Sequence, residues 1–184
     1  MNPNTVIERL RAHKVKFEEP LTDEEISKIE NNYKILFPPD LREFYLCGLP
    51  QGHNFINWRD TSEANIDSIK KRLEWPLEGI IFDVEHNSFW YSHWGERPSD
   101  LGEAIRICID KYKDLPLLIP IYSHRYILSR PCEINNPIFS VYQTDIIYYG
   151  ENLEEYFKVE FNDKEHKDID FESIKYIDFW TDLL

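Results

Sequence analysis

Cysteine and glycine are both scarce in this chain of 184 residues. Its three cysteines, Cys47, Cys108 and Cys132, are odd in number and far apart, which argues against a disulfide framework and a cysteine-rich metal knuckle. No two of its six glycines lie within three residues of each other, so the chain lacks the glycine-rich loop that cradles nucleotide phosphates. We therefore expect buried, reduced thiols and no phosphate-binding loop.

Long apolar runs are also missing. No run of 18 apolar residues occurs, so the sequence predicts no membrane-spanning helix. The opening segment, MNPNTVIERLRAHKVKF, contains no apolar stretch of the kind that a secretory signal needs. Together with the cysteine usage, these features favour a cytoplasmic location and no membrane partner.

Acidic residues outnumber basic ones, 34 to 21, which gives a formal net charge of −13. This charge repels nucleic-acid phosphates, so it disfavours direct nucleic-acid binding and favours a basic protein partner. A solubilising surface is the alternative interpretation. Residues 151–184 are the most acidic part of the chain. The acidic residues expected to contact a partner are Glu151, Glu154, Glu155, Asp163, Glu165, Asp168 and Asp170.

The apolar spacing predicts helices towards both ends of the chain and strands between them, which is an α+β domain. The predicted helices cover residues 4–13, 22–32, 63–73, 99–112 and 151–159, with a further helix that starts at Pro39. The predicted strands cover residues 79–84, 117–121, 126–128, 138–142 and 145–149. Residues 88–94 are expected to be a strand or an aromatic loop, and residues 171–180 a last helix or an extended segment. No linker interrupts the pattern, so residues 1–184 are predicted to form a single domain with a central, mostly antiparallel sheet.

Aromatic and cationic side chains are concentrated between residues 75 and 150. Trp90 and Trp94 are interpreted as core residues, at least one of them buried, with Arg97 paired to an acid such as Asp83 or Glu85. The alternative is a recognition surface for a partner, since aromatics and arginine are common interface anchors. The residues of this region expected to contact a partner are Trp94, Arg97, His124 and Arg125.

No complete catalytic or metal-binding motif occurs in the sequence. His86 and His93 are seven residues apart, and neither HExxH nor HxH is present. Ser123 and His124 are adjacent, so their side chains should diverge on a strand, and no GxSxG elbow occurs. We therefore predict no catalytic residue, no metal and no cofactor. An enzyme remains an alternative only if the histidines and arginines of this region converge in one pocket, namely His86, His93, Arg97, His124 and Arg125.

Several strings follow one another in a recognisable order. The first is LFPPDLREFYLCG, at residues 36–48, which follows Leu21-Thr22 and its helix. The next strings are Trp75-Pro76, Phe82-Asp83, Phe89-Trp90, Trp94-Gly95 and Arg97-Pro98, followed by PIYSHRYI and NPIFSVYQTDIIYYG. Over roughly residues 20–160, this order resembles the SUKH superfamily, which includes yeast cell-wall-assembly regulators and many bacterial immunity proteins.

The resemblance implies an α+β domain with a curved sheet and no enzymatic apparatus. For a bacterial member it implies a cytoplasmic immunity protein that binds and blocks a polymorphic toxin domain, often a nuclease. Nucleases are often basic because they bind phosphates, and an acidic inhibitor complements them. The yeast members imply the alternative of an interaction scaffold or regulatory adaptor. The cognate partner cannot be transferred by resemblance, because the family shares a scaffold while its toxins differ.

Overall fold

A computed structural model describes residues 1–184 and has an α+β architecture, as the sequence predicts. The helices are α1 (Pro3–Ala12), α2 (Asp23–Tyr33), α3 (Pro39–Tyr45), α4 (Glu63–His86), α5 (Leu101–Tyr112) and α6 (Leu153–Glu160). The strands are β1 (Lys16–Glu18), β2 (Leu49–Gln51), β3 (Leu118–Tyr122), β4 (Arg125–Leu128), β5 (Ile138–Tyr142) and β6 (Asp145–Gly150). None of the helices is both long enough and apolar enough to cross a membrane.

Strands β3 to β6 form an antiparallel meander in the order of the sequence, and β1 pairs separately with β2. A bulge interrupts the β3–β4 pairing between Pro120 and Tyr122, where a ladder bends and twists more strongly. The four predicted strands that make up this meander are confirmed within one residue at each end. The sequence also predicts one short strand within the loop at residues 49–61, where β2 lies, but its apolar pattern gives no signal for β1.

Both faces of the meander are covered, so the domain has two apolar cores. The first core packs α1, α2, α3 and α6 against one face, which includes Ile119 and Ile127. The second core packs α4, α5 and the segment 177–180 against the other face, which includes Leu118 and Tyr126. A strand buried on both faces reads as a continuous apolar run rather than an alternating one.

The N-terminal helices form where the local signals place them. The capping box of α2 is complete, with the Glu25 N–H donating to Thr22 Oγ1 at 3.1 Å and the Thr22 N–H donating to Glu25 Oε2 at 2.8 Å. The Glu25 carboxylate also accepts a hydrogen bond from Arg59 Nε at 2.7 Å. The Arg59 hydrogen bond and the capping bond lower the pKa of Glu25 to about 2.

The predicted strand at residues 79–84 is wrong, because α4 continues through it to His86. Pro76 lies inside this helix and has no N–H to donate to the carbonyl of Arg72, four residues earlier. The hydroxyl of Tyr126, on strand β4, donates to that carbonyl instead at 2.7 Å. A tertiary hydrogen bond thus satisfies the acceptor that the proline leaves free and lets the helix pass the residue that should break it.

The segment 88–94 is an aromatic loop that ends in a short 3-10 turn, Ser92–Trp94. Neither Trp90 nor Trp94 is fully buried, which corrects the core assignment made for them. Trp94 instead stacks on Phe179 with ring centroids 5.8 Å apart, and Trp90 Nε1 donates to the Gly95 carbonyl at 2.8 Å. The loop therefore forms a partly exposed rim on the second core.

The tryptophan that fills the second core is Trp180, which is fully buried and donates through Nε1 to the Pro116 carbonyl at 2.7 Å. Its segment has no long helix, only 3-10 turns at Phe171–Ser173 and Thr181–Leu183. The Asp182 carboxylate accepts hydrogen bonds from the hydroxyls of Tyr91 and Tyr176. These bonds tie the C-terminal segment to the aromatic loop.

Candidate functional site

The candidate site lies where α4 crosses the turn between β5 and β6, and a buried carboxylate holds the helix and the turn together there. Asp83, buried on α4, accepts two hydrogen bonds from Thr144 in that turn, from its N–H at 2.8 Å and from its hydroxyl at 2.6 Å. The other carboxylate oxygen accepts from the Asn87 side-chain amide at 2.5 Å. The carboxylate therefore fixes the turn against the helix.

Gly79 allows the helix and the turn to touch backbone to backbone. A Cβ at this position would lie 2.7 Å from Cα of Gln143, closer than a side chain tolerates. Glycine is therefore required here by the close approach. The contact brings the residues of the turn beside the exposed face of α4.

Three large aromatic side chains are exposed on either side of this contact. Trp75 and Phe82 on α4 are each 43% exposed, and Tyr142 at the end of β5 is 57% exposed. The rings of Trp75 and Tyr142 lie 6.5 Å apart, and His86 stacks on Phe82 at 4.3 Å. We refer to Trp75, Phe82 and Tyr142 as the aromatic ridge.

Two cavities border the aromatic ridge, and both include Trp75 and Tyr142 in their walls. The larger cavity, of about 650 Å³, is an open groove between α4 and the β3–β4 turn, with Lys71, Arg72 and His124 in its wall. Arg72 is a structural residue there, since its guanidinium donates to the carbonyls of His53, Asn54 and Ser123. The smaller cavity, of about 190 Å³, lies between α4 and the β5–β6 turn.

His124 and Arg125 are neighbours in the chain with different surroundings. His124 is exposed on the β3–β4 turn, where its Nδ1 contacts the Ser123 hydroxyl at 3.1 Å. Partial loss of hydration, and then the adjacent charge of Arg125, lower the pKa of His124. Arg125 is buried, with Nε donating to Glu160 at 3.0 Å and its guanidinium 3.6 Å from the centre of the Tyr149 ring. Its position makes Arg125 a structural residue rather than the surface contact we expected.

Arg97 does not pair with Asp83 or Glu85, which corrects that expectation. Its Nη2 donates to the Val84 carbonyl at 3.0 Å, in the last turn of α4, where a cation is favourable. The side chain is half-buried and its Nε has no partner. Arg97 thus binds the C-terminal turn of α4 through a main-chain carbonyl.

The five candidates of the enzyme hypothesis do not converge. Only His124 lines the large groove, while His86 stacks on Phe82 and His93 contacts the Tyr91 ring. No group of three or more histidine, cysteine, aspartate or glutamate side chains is arranged so that it could hold a metal ion. The hypothesis of a small-molecule enzyme depends on these five side chains lining one pocket, and they do not.

Most of the acidic candidates are engaged within the chain. Glu151 is buried, where it accepts from Lys164 Nζ at 2.6 Å and from the Asp170 N–H at 2.7 Å, so it is a structural residue and not a partner contact. Glu155 binds Lys158 and Lys164, and Glu154 lies 3.8 Å from Lys158. Asp163 binds Arg9 and His13, and Glu165 binds Lys167. The exposed carboxylates of Asp168 and Asp170 remain as surface charges.

The strand predicted at residues 79–84 does not reveal the aromatic ridge, although the sequence contains a signal for it. In a helix, residues 75, 78 and 82 fall on one face because they are three and four positions apart. If residues 79–84 were a strand, positions 75, 78 and 82 would not share one helix face, so the spacing is informative only once α4 is known to continue to His86. Tyr142 was assigned correctly to a strand, but its proximity to α4 depends on the tertiary contact at Gly79.

Comparisons with protein-family models, with curated proteins and with solved structures found no match to this chain.

Proposed function

We propose that this chain is a cytoplasmic, non-enzymatic immunity protein that binds and neutralises a basic toxin domain, a nuclease being the expected kind. The observation that carries the binding role is the aromatic ridge on an acidic protein. The identity of the partner class depends on the resemblance to the SUKH superfamily described above.

The aromatic ridge has the composition of an interface centre. Adjacent exposed aromatics of this size are unusual on a protein that acts alone, and they often mark a contact site. Tyrosine and tryptophan are enriched among the residues that dominate binding energy. Because the β5–β6 turn is fixed to α4 through Asp83, little conformational freedom would be lost when a partner binds.

The charge favours a basic partner. A net charge of −13 raises the rate at which a basic protein encounters the surface, and the effect weakens as salt shortens the Debye length to about 8 Å at physiological ionic strength. With most C-terminal acids paired internally, the charge acts as a long-range field rather than as a set of direct contacts.

The experiment is affinity capture from native cells, followed by reconstitution with the purified captured protein. We expect one basic protein that comigrates with this chain on a sizing column and whose toxicity is relieved by co-expression. Tyr142→Ala should abolish the complex. Phe171→Ala removes an aromatic of similar exposure, 49%, far from the aromatic ridge in sequence, and should leave the complex intact.

One outcome would refute the immunity role, and another would refute only the aromatic ridge as its binding surface. Capture of several non-toxic host proteins would favour the adaptor alternative. A toxin complex that survives both Tyr142→Ala and Trp75→Ala would move the binding surface away from the aromatic ridge.

A further inference from the structure

We propose that the smaller cavity at the aromatic ridge is an arginine-binding pocket, which receives one guanidinium side chain from the basic partner. The inference deepens the proposed function and depends on it for the source of the arginine. The pocket has a volume of about 190 Å³, enough for one side-chain head group. Its wall consists of Trp75, Glu78, Gly79, Phe82, Tyr142 and Gln143.

The aromatic content of the wall favours a cation. Trp75, Phe82 and Tyr142 are half of the residues that line the pocket. The face of an aromatic ring carries partial negative charge and attracts a guanidinium or ammonium group within about 6 Å of its centre, tryptophan most strongly. An uncharged apolar side chain would gain contact area here but none of this electrostatic attraction.

Glu78 supplies the counter-charge. It is the only acidic or basic side chain in the wall of the pocket, it is exposed, and it takes part in no salt bridge. An unpaired carboxylate beside exposed rings suits a cation that arrives from outside the chain. The larger groove shares Trp75 and Tyr142, but its wall has two cations, Lys71 and Arg72, against one carboxylate, Asp67. This excess of positive charge disfavours the same cation there.

The pocket is held in shape before any ligand binds. Trp75 Nε1 lies 3.4 Å from the Val141 carbonyl, to which it donates, and this bond orients the indole ring. Asp83 and the backbone contact at Gly79 fix the turn that carries Tyr142 and Gln143. A preformed wall reduces the entropy lost when a flexible side chain is captured.

Arginine fits this chemistry better than lysine. A guanidinium is planar and can stack on a ring while its edge donates two parallel hydrogen bonds to a carboxylate. An ammonium is compact and more strongly hydrated, so it gains less from stacking and gives up more hydration on entry. The pocket should therefore rank arginine above lysine.

The test uses N-acetyl-arginine amide as the probe and the full chain labelled with 15N. The indole N–H signal of Trp75, assigned with a Trp75→Phe variant, should shift saturably as the probe is added. N-acetyl-citrulline amide has nearly the same shape without the charge and should give no saturable shift. N-acetyl-lysine amide should bind more weakly than the arginine probe.

Two variants test whether Glu78 is the carboxylate that binds the arginine probe. Glu78→Gln should weaken the arginine probe about tenfold, the scale expected for one charge-assisted contact. Glu43→Gln removes an equal charge from an exposed position of α3 that lines none of these cavities, and should leave binding unchanged. An unchanged fold in each variant is verified by its amide spectrum.

The outcomes separate the pocket from the proposed function. If no saturable Trp75 shift occurs, or if citrulline binds as well as arginine, the arginine pocket is refuted even where a toxin complex forms. If the probe binds and Glu78→Gln weakens it, but no toxin partner is captured, the pocket stands and the immunity role fails. If both succeed, replacing one arginine of the partner should reproduce the Glu78→Gln loss in the complex.

Discussion

Asp83→Ala should release the β5–β6 turn from α4 and destabilise the whole domain. The variant removes a buried carboxylate that accepts two hydrogen bonds from Thr144 and one from Asn87. The Asn87 amide lies at an exposed position and regains water. The two Thr144 donors are only half-exposed and lose a charged acceptor.

The magnitude follows from these two bonds. A hydrogen bond to a charged group contributes about 1.5–3 kcal/mol, and the better helix propensity of alanine returns roughly 0.5 kcal/mol. Because water reaches the half-exposed Thr144 in part, we expect the low end for each bond, a net loss of about 2.5 kcal/mol in the free energy of unfolding. For a chain of this length, that lowers Tm by about 5–10 °C.

Urea unfolding followed by circular dichroism measures the change, as a lower midpoint with an unchanged m-value. Asp67→Ala is the matched control, because Asp67 is exposed on the same helix and its side chain makes no hydrogen bond; its effect should stay within about 0.5 kcal/mol. Asp83→Asn keeps one acceptor oxygen for Thr144 and should lose only about 1 kcal/mol. A midpoint for Asp83→Ala equal to that of the parent would refute the role assigned to this carboxylate.

Three further predictions concern stability. Trp180→Ala should cost about 3–5 kcal/mol because it deletes a fully buried ring, whereas Trp90→Ala, at a half-buried position, should cost less than about 2 kcal/mol in the same unfolding assay. The pKa of Glu25 is lowered from 4.5 to about 2, so the stabilisation that its charged form gives to the folded state is complete above pH 4.5 and is lost as pH falls towards 2. Glu25→Gln should therefore reduce the pH dependence of the free energy of unfolding between pH 4.5 and 2. An unchanged pH dependence would contradict the assignment. Gly150→Ala should cost about 1–3 kcal/mol, since its Cβ would lie 2.5 Å from the α6 backbone; Gly102→Ala, whose nearest neighbour is 3.4 Å away, should be neutral or stabilising on comparison of thermal midpoints.

Local signals predicted much of this fold because they act within a few residues. The capping box at Thr22 and Glu25 specifies the start of α2 by two short-range hydrogen bonds. The strands from residue 118 onwards are short apolar runs separated by turns, and their neighbours in sequence are also their neighbours in the sheet. These elements need no distant information.

The errors lie where a distant group decides the outcome. Pro76 and Gly79 both favour an interruption of the helix, and only the Tyr126 hydroxyl and the nearby turn explain why α4 continues. Arg97 is predicted to pair with a carboxylate, but its guanidinium donates a hydrogen bond to a main-chain carbonyl of α4 instead. The aromatic ridge was missed for the same reason, because its geometry follows from the helix that the sequence analysis ended too early.

The arrangement of the second core has a consequence for how the chain is made. The sheet, α4 and α5 contribute most of this core, and Ile177, Phe179 and Trp180 complete it. These residues leave the ribosome after the strands and after α4 and α5, so a nascent chain that stops short of residue 177 leaves this face of the sheet only partly covered. That face includes Leu118, Phe139 and Val141 and would attract chaperones or proteases. The domain should therefore become protease-resistant in a single step, once residues 177–180 have emerged, rather than gradually as it is synthesised.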